Sequence, residues 1–283
     1  MVLKQVPPRR VGVRHWPGGA IVTCLLALAI VMLSAVSAAA SDGYQGGDGT
    51  RPTIVLVHGG WAGPQGWSRV VRRLNDEGFA TVTPTLGLDS LAGDVAIVRQ
   101  ALDGVPGKKV LVGHSYGGEV ITNAAFGRSD VVSLVYTAAF APDQGESLQT
   151  LGAGYKPPAA LPHLIFSGAP FASPCLIDPA YFRADFAQDL SPTAAAELSS
   201  QQRAFNFPIF ITQSGPAAWH TLPTWYAVSG ADRRIDPALQ RAMATRMGAQ
   251  TVVFEDASHA GGFTHYAARF AKLIEQAAGE AND

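Results

Sequence analysis

The chain predicts an α/β fold, a doubly wound and mostly parallel sheet with a helical cap inserted into it, and three observations carry that expectation. Apolar, β-branched runs recur without the alternation of a half-exposed strand, as expected of strands covered on both faces. Segments of helical period separate them, and alternation of the two builds a doubly wound sheet. One stretch, residues 141–222, breaks the rhythm and holds ten of the nineteen prolines. It is too long for a bare loop in a compact domain, so it should carry short helices of its own.

The first forty residues read as an export leader. Lys4, Arg9, Arg10 and Arg14 form a basic start, an apolar run extends over 20–36, and small residues at 37–40 precede the polar Ser41. A retained membrane anchor over 20–40 is the alternative, since the run approaches the ~20 residues that span a bilayer. Either places the following chain outside the cytoplasm, periplasmic or extracellular, because positive charge stays inside. Arg9 and Arg10 also fit a twin-arginine signal. Removing the leader's four basic residues takes the formal net charge from −1 to −5. No basic patch points to nucleic acid, and no stable membrane association is expected if the leader is cleaved. Cys24 falls in the leader, which leaves Cys175 without an intrachain disulfide partner; it reads as a small buried filler.

Residues 41–52 are glycine-rich and polar, a flexible lead-in. Strands are then expected over 53–57, 80–83, 109–112, 131–136, 225–228 and 251–254. Helices are expected over 66–77, 89–102, 118–126, 237–247 and 263–278. The core is thus 53–140 together with 223–279, and the 141–222 insertion lies where it would cover the sheet's carboxyl edge.

The chemistry starts at Gly113-His-Ser115-Tyr-Gly117, where a buried strand runs straight into a helix. Such a turn lifts a serine hydroxyl out of the sheet as a nucleophile, and the flanking glycines leave room where helix and strand pack close. With glycine near 7% of residues, and serine comparable, the five-residue pattern arises by chance in roughly one chain in ten of this length. Its partners therefore decide. Among the histidines after the leader, His259 follows the last strand in a loop at the carboxyl edge, where Ser115 also emerges, which suits the base. His58 ends the first strand, His114 points away from the nucleophile, His163 and His220 sit in the insertion, and His265 falls on the closing helix. Asp232, between the 225–228 strand and the next helix, is the favoured acid, with Glu119 and Asp256 as alternatives. Asp236 reads as a helix cap, with Pro237 at the first helical position. Two backbone N–H groups are needed for the developing oxyanion. Tyr116 supplies one and Gly60, in the loop after the first strand, the other. Trp61, Trp67, Phe140, Phe171 and Phe182 are candidates for an apolar pocket, against core packing as the default.

The set Val55-Leu-Val-His-Gly-Gly-Trp61, Val110-Leu-Val-Gly-His-Ser-Tyr-Gly-Gly118, Gly230-Ala-Asp232 and Ala257-Ser-His259 resembles the α/β-hydrolase superfamily. Within it, the chain is most similar to small bacterial carboxylesterase-like members, a group that is also similar to plant methyl esterases and hydroxynitrile lyases. The resemblance implies the α/β-hydrolase fold, a serine mechanism without cofactor and the residue roles given above; it implies little about the substrate, for which a small-molecule ester is the leading expectation. Two departures stand out. Glu119 occupies a position where small or apolar residues are common, and is either a perturbation of the local field or a helix surface contact. Ala260 follows the histidine where the hydroxynitrile lyases carry a lysine, which disfavours a lyase that stabilises cyanide.

Three readings follow: an exported ester hydrolase with Ser115, His259 and Asp232; a C–C or C–CN lyase on the same triad; and a non-catalytic binding protein of this fold. No metal site is expected, since no histidine and carboxylate cluster has ligand spacing. Nucleotide binding at Gly59-Gly60 lacks the longer glycine pattern and its acidic partner.

Overall fold

The computed structural model describes residues 51–279. The expected leader at 1–40 and residues 41–50 of the expected lead-in lie outside the described residues. Along the chain, β1 (Thr53–Val57), α1 (Ser68–Asp76), β2 (Thr81–Val82), α2 (Leu91–Asp103), β3 (Lys109–His114), α3 (Tyr116–Ala124) and β4 (Val131–Thr137) form the first half of the core. The insertion then contributes α4 (Leu148–Gly152), β5 (Leu164–Phe166), β6 (Pro174–Ile177), α5 (Pro179–Phe186), α6 (Pro192–Ser200) and β7 (Phe205–Asn206). The core closes with β8 (Thr224–Ser229), α7 (Pro237–Arg246), β9 (Gln250–Phe254) and α8 (Ala267–Gly279).

Six strands pair in the order β2-β1-β3-β4-β8-β9, every neighbour parallel. Strands β1, β3 and β8, apolar through their middles, are buried along their whole length because helices cover both faces. The registers Val57 with Gly113, His114 with Thr137, and Ser229 with Phe254 align the carboxyl ends along one edge. Strand order reverses between β1 and β3, so the loops leaving these two strands flank the crevice where such sheets bind ligands. His58–Trp61 and Ser115 leave from there.

Two of the insertion's ten prolines start α-helices, as Pro237 starts one in the core. Pro179, Pro192 and Pro237 each occupy a first helical position, behind Asp178, Ser191 and Asp236, whose side chains accept an N–H of the first turn. Besides its helices the insertion holds an antiparallel sheet, β5-β6-β7, that sequence reasoning did not predict. Strands of two to four residues are too short to show a period. The closing helix also begins later than expected, at Ala267, because Gly261 O takes the N–H groups of Thr264 and Tyr266 in a preceding turn. His265 accordingly sits in that turn and is exposed, not on the helix.

Candidate active site

Ser115 joins β3 to α3 with φ +55° and ψ −126°, a conformation that non-glycine residues adopt only at a cost of about 1–3 kcal/mol. Its neighbours impose it. The Ser115 N–H donates to Ala138 O at 3.1 Å, and its carbonyl accepts from Gly118 N at 3.0 Å and Phe140 N at 3.1 Å. The flanking glycines answer to crowding: a Cβ on Gly113 would lie 2.7 Å from Gly117 O, and one on Gly117 would run into the carbonyl oxygens of Val57 and His58.

His259 and Asp232 meet in the interior. The His259 Nδ1–H donates to Asp232 Oδ2 at 2.8 Å, with side chains 1% and 0% exposed. A carboxylate facing Nδ1 requires the proton there, leaving Nε2 free as an acceptor. Asp232 is saturated by three further donors: Gln240 Nε2 at 2.8 Å on Oδ2, and the backbone N–H groups of Arg234 at 2.6 Å and Ile235 at 3.1 Å on Oδ1. The residue before Ser115 braces this loop, since His114 Nε2–H donates to His259 O at 2.9 Å and the two rings lie 4.7 Å apart. Burial holds His114 well below the usual histidine range, so it stays neutral in this role. Ser115 Oγ and His259 Nε2 form no hydrogen bond with each other; such contacts are often loose without substrate.

Gly60 and Tyr116 line one cleft with Ser115. Among the described residues the backbone N–H groups of both are without a partner, as donors waiting for an oxyanion would be. The cleft is about 20 Å³, room for about one water molecule. Phe205 and Phe210 from the insertion close it, with Leu148 and Pro158, over Trp61 and Phe140. Of the proposed pocket aromatics, Trp61 and Phe140 are therefore in place. Trp67 packs in the core against Phe263 and Phe270, and Phe182 against Phe186 beside a neighbouring cleft, while Phe171 is 55% exposed on the insertion.

The remaining candidates resolve separately. His58 donates from Nδ1 to Gly59 O at 2.9 Å and accepts Leu86 N–H on Nε2 at 3.1 Å, and burial pushes its pKa down to about 4. His163 pairs with Asp185 and His220 with Asp143, both away from the cleft. Asp236 caps α7, accepting Ala238 N–H at 3.0 Å, and Asp256 is exposed. Glu119 is not a helix surface contact: it is fully buried with both carboxyl oxygens unpartnered, and burial raises it well above the usual carboxylate range. Cys175 is buried, its Sγ on Phe205 O and its thiol pushed up to about 11. Among the described residues no group of three or more His, Cys, Asp or Glu is placed to hold a metal.

Sequence reasoning missed Gln240, Phe205, Phe210 and Arg234. Only Arg234 had a local signal, its place two residues after Asp232, and that did not distinguish it from Arg233. The structure turns Arg233 outward, onto Ala184 O, and Arg234 inward to the cleft.

A model of the alpha/beta hydrolase family matches residues 54–273. The carbendazim hydrolyzing esterase of Nocardioides sp. (strain SG-4G) is 36% identical over 115 residues, a match covering 35% of this chain and 46% of that one, so this chain spans about half the length of that curated relative. Among solved structures, a pyrethroid hydrolase from Sphingobium faniae JZ-2 superposes with a TM-score of 0.67 at 21% identity, covering 81% of this chain and 97% of the other. A methylesterase from Arabidopsis does so with a TM-score of 0.64 at 20% identity, covering 81% and 99%. These structural likenesses concern the fold.

Proposed function

The chain belongs to the alpha/beta hydrolase family, and we propose that it hydrolyses a carboxylic ester of a small molecule through an acyl-enzyme on Ser115. The observation that carries this is the buried Asp232 to His259 bond of 2.8 Å on the sheet edge where the strained Ser115 emerges. The relative described as a carbendazim hydrolyzing esterase supports it, and the structural neighbours described as a pyrethroid hydrolase and a methylesterase are in keeping with it.

In this scheme Ser115 Oγ attacks the ester carbonyl carbon while His259 Nε2 takes the hydroxyl proton. The N–H groups of Gly60 and Tyr116 meet the negative oxygen of the tetrahedral intermediate. The carbon to alkoxide-oxygen bond breaks, and the departing alcohol leaves with the proton from His259. Water then attacks the acyl carbon, His259 taking its proton, and collapse releases the acid and returns the proton to Ser115. Asp232 holds the imidazole in its tautomer and stabilises the imidazolium. The insertion over 141–222 acts as the cap that shapes access. Export through the 1–40 leader belongs to the same reading, and the N-terminal residue of the secreted protein checks it.

Replacing Ser115 with Ala tests the scheme. Turnover of a chromogenic short-chain ester should fall by about 10⁴–10⁶, and fluorophosphonate labelling should disappear, with circular dichroism unchanged. Undiminished turnover would overturn the assignment. A cyanohydrin substrate assayed beside the ester separates hydrolysis from lyase chemistry.

A further inference from the structure

The cleft beside Ser115 contains a positive charge that ester hydrolysis as such does not use. Arg234 is 6% exposed, and it is the one charged residue among those lining the cleft; apart from Ser115, and from Tyr116 whose hydroxyl is held by Asp94, the side chains of the wall are apolar. Its guanidinium lies over the Trp61 ring at 4.6 Å. That contact occupies the face of the planar group and leaves the N–H donors at its edge. Nε and Nη1 are buried with no hydrogen-bond partner. Asp232 and Asp185 are the nearby acids, but four other donors saturate the oxygens of Asp232, and Asp185 pairs with His163 at 2.7 Å.

A buried charge without a paired counter-charge is costly, and a purely structural support for Trp61 would be met as well by an apolar side chain. Burial lowers the group only to about 10, so it remains a cation at neutral pH. A guanidinium in this position matches a carboxylate in charge and in geometry.

We infer that Arg234 anchors a carboxylate of the substrate, so that the Ser115 cleft takes an ester bearing a second, ionised carboxyl group a few bonds from the scissile carbonyl, such as the half-ester of a short dicarboxylic acid. This rests on the ester-hydrolase reading. The anchored carboxylate completes the hydrogen bonds of Arg234 and holds the reacting carbonyl beside Ser115. Neutral esters of equal length bind against the apolar wall alone and leave the guanidinium unpaired, the situation that discriminates strongly against an analogue lacking one polar group.

The test compares pairs of equal carbon chain, one carrying a terminal carboxylate and the other a methyl, on the full-length protein. Monomethyl glutarate against methyl pentanoate places the charge on the acyl side, and 3-acetoxypropanoate against propyl acetate places it on the alcohol side. In one pair the anionic ester should exceed its neutral partner in kcat/KM by at least about tenfold. Glutarate, and not its diamide, should inhibit turnover of the neutral ester competitively. Arg234→Met should bring the anionic-to-neutral ratio to one or below, and Arg234→Lys should retain part of it. If the variants fail to fold, the wild-type ratios and the glutarate inhibition decide. Turnover of neutral esters at least equal to the anionic ones, without glutarate inhibition, overturns the inference and leaves the hydrolase reading standing. Absence of any ester turnover together with absence of fluorophosphonate labelling at Ser115 overturns both.

Discussion

Gln240 Nε2 donates to Asp232 Oδ2 at 2.8 Å, the oxygen that also accepts His259 Nδ1–H. Gln240 is fully buried, and its own Oε1 accepts Ser229 N–H at 2.9 Å while Nε2 also reaches Ile235 O at 3.0 Å. One side chain thus ties the end of β8 and the loop before α7 to the carboxylate behind the histidine. Gln240→Met keeps the length and removes the donor. Losing that bond loosens the hold on Asp232 and through it on the histidine, so kcat should fall about tenfold. Leaving Ser229 N–H unpaired should cost about 1–3 kcal/mol of stability. A lower Tm with kcat unchanged would limit Gln240 to a structural role.

His58 makes the fold acid-sensitive. Its folded pKa of about 4 lies below its ordinary 6.5, so its contribution is full above about pH 6.5 and is lost as pH falls through that window toward 4. The loss amounts to about 3 kcal/mol. Urea unfolding of His58→Gln at pH 7 and pH 4 should show a pH-dependent loss smaller than wild type by about that amount. His114, also held low by burial, keeps its own share of the acid loss in the variant.

Glu119 works in the opposite direction. Its folded pKa is raised by burial, so its contribution is present below the ordinary 4.5 and is lost as pH rises above it. Each pH unit between there and the folded value costs about 1.4 kcal/mol. Glu119→Gln should therefore raise Tm at pH 8 and leave it nearly unchanged at pH 4.5. An equal effect at both pH values would show that the carboxyl is already ionised in the fold.

Phe210 closes a cleft of about 20 Å³ and packs 5.3 Å from Phe205 and 6.1 Å from Trp61. Phe210→Ala should widen the cleft and raise kcat/KM for long-chain or aryl esters about tenfold relative to acetate esters. A panel of p-nitrophenyl esters graded by acyl length reads this directly; an unchanged profile would show that Phe210 does not limit substrate size.

How legible the site was depended on the range of the interactions that make it. Gly113 and Gly117 announced the turn at Ser115 because a Cβ at either would collide with backbone atoms of the same tight turn or of β1 beside it. Asp232 and His259 were legible because each lies in the loop after a parallel strand, the buried β8 and the edge strand β9, and parallel strands place such loops on one edge. Asp236 was separable from Asp232 because a helix cap followed by Pro237 is a local pattern.

The sequence by itself determined the parallel sheet, the turn at Ser115, and the loops that present Asp232 and His259, since strand period, turn sterics and capping act over a few residues. Tertiary structure alone decided that Gln240 backs Asp232 and that β7 brings Phe205 over Gly60. It also decided that Arg234, not Arg233, turns into the cleft. Phe205 reaches the cleft only because a proline-rich insertion packs onto the sheet, while Gln240 and Arg234 face Asp232 and the cleft because of how the loop after β8 folds back against α7; no local period or spacing encodes which side chain faces inward at either place.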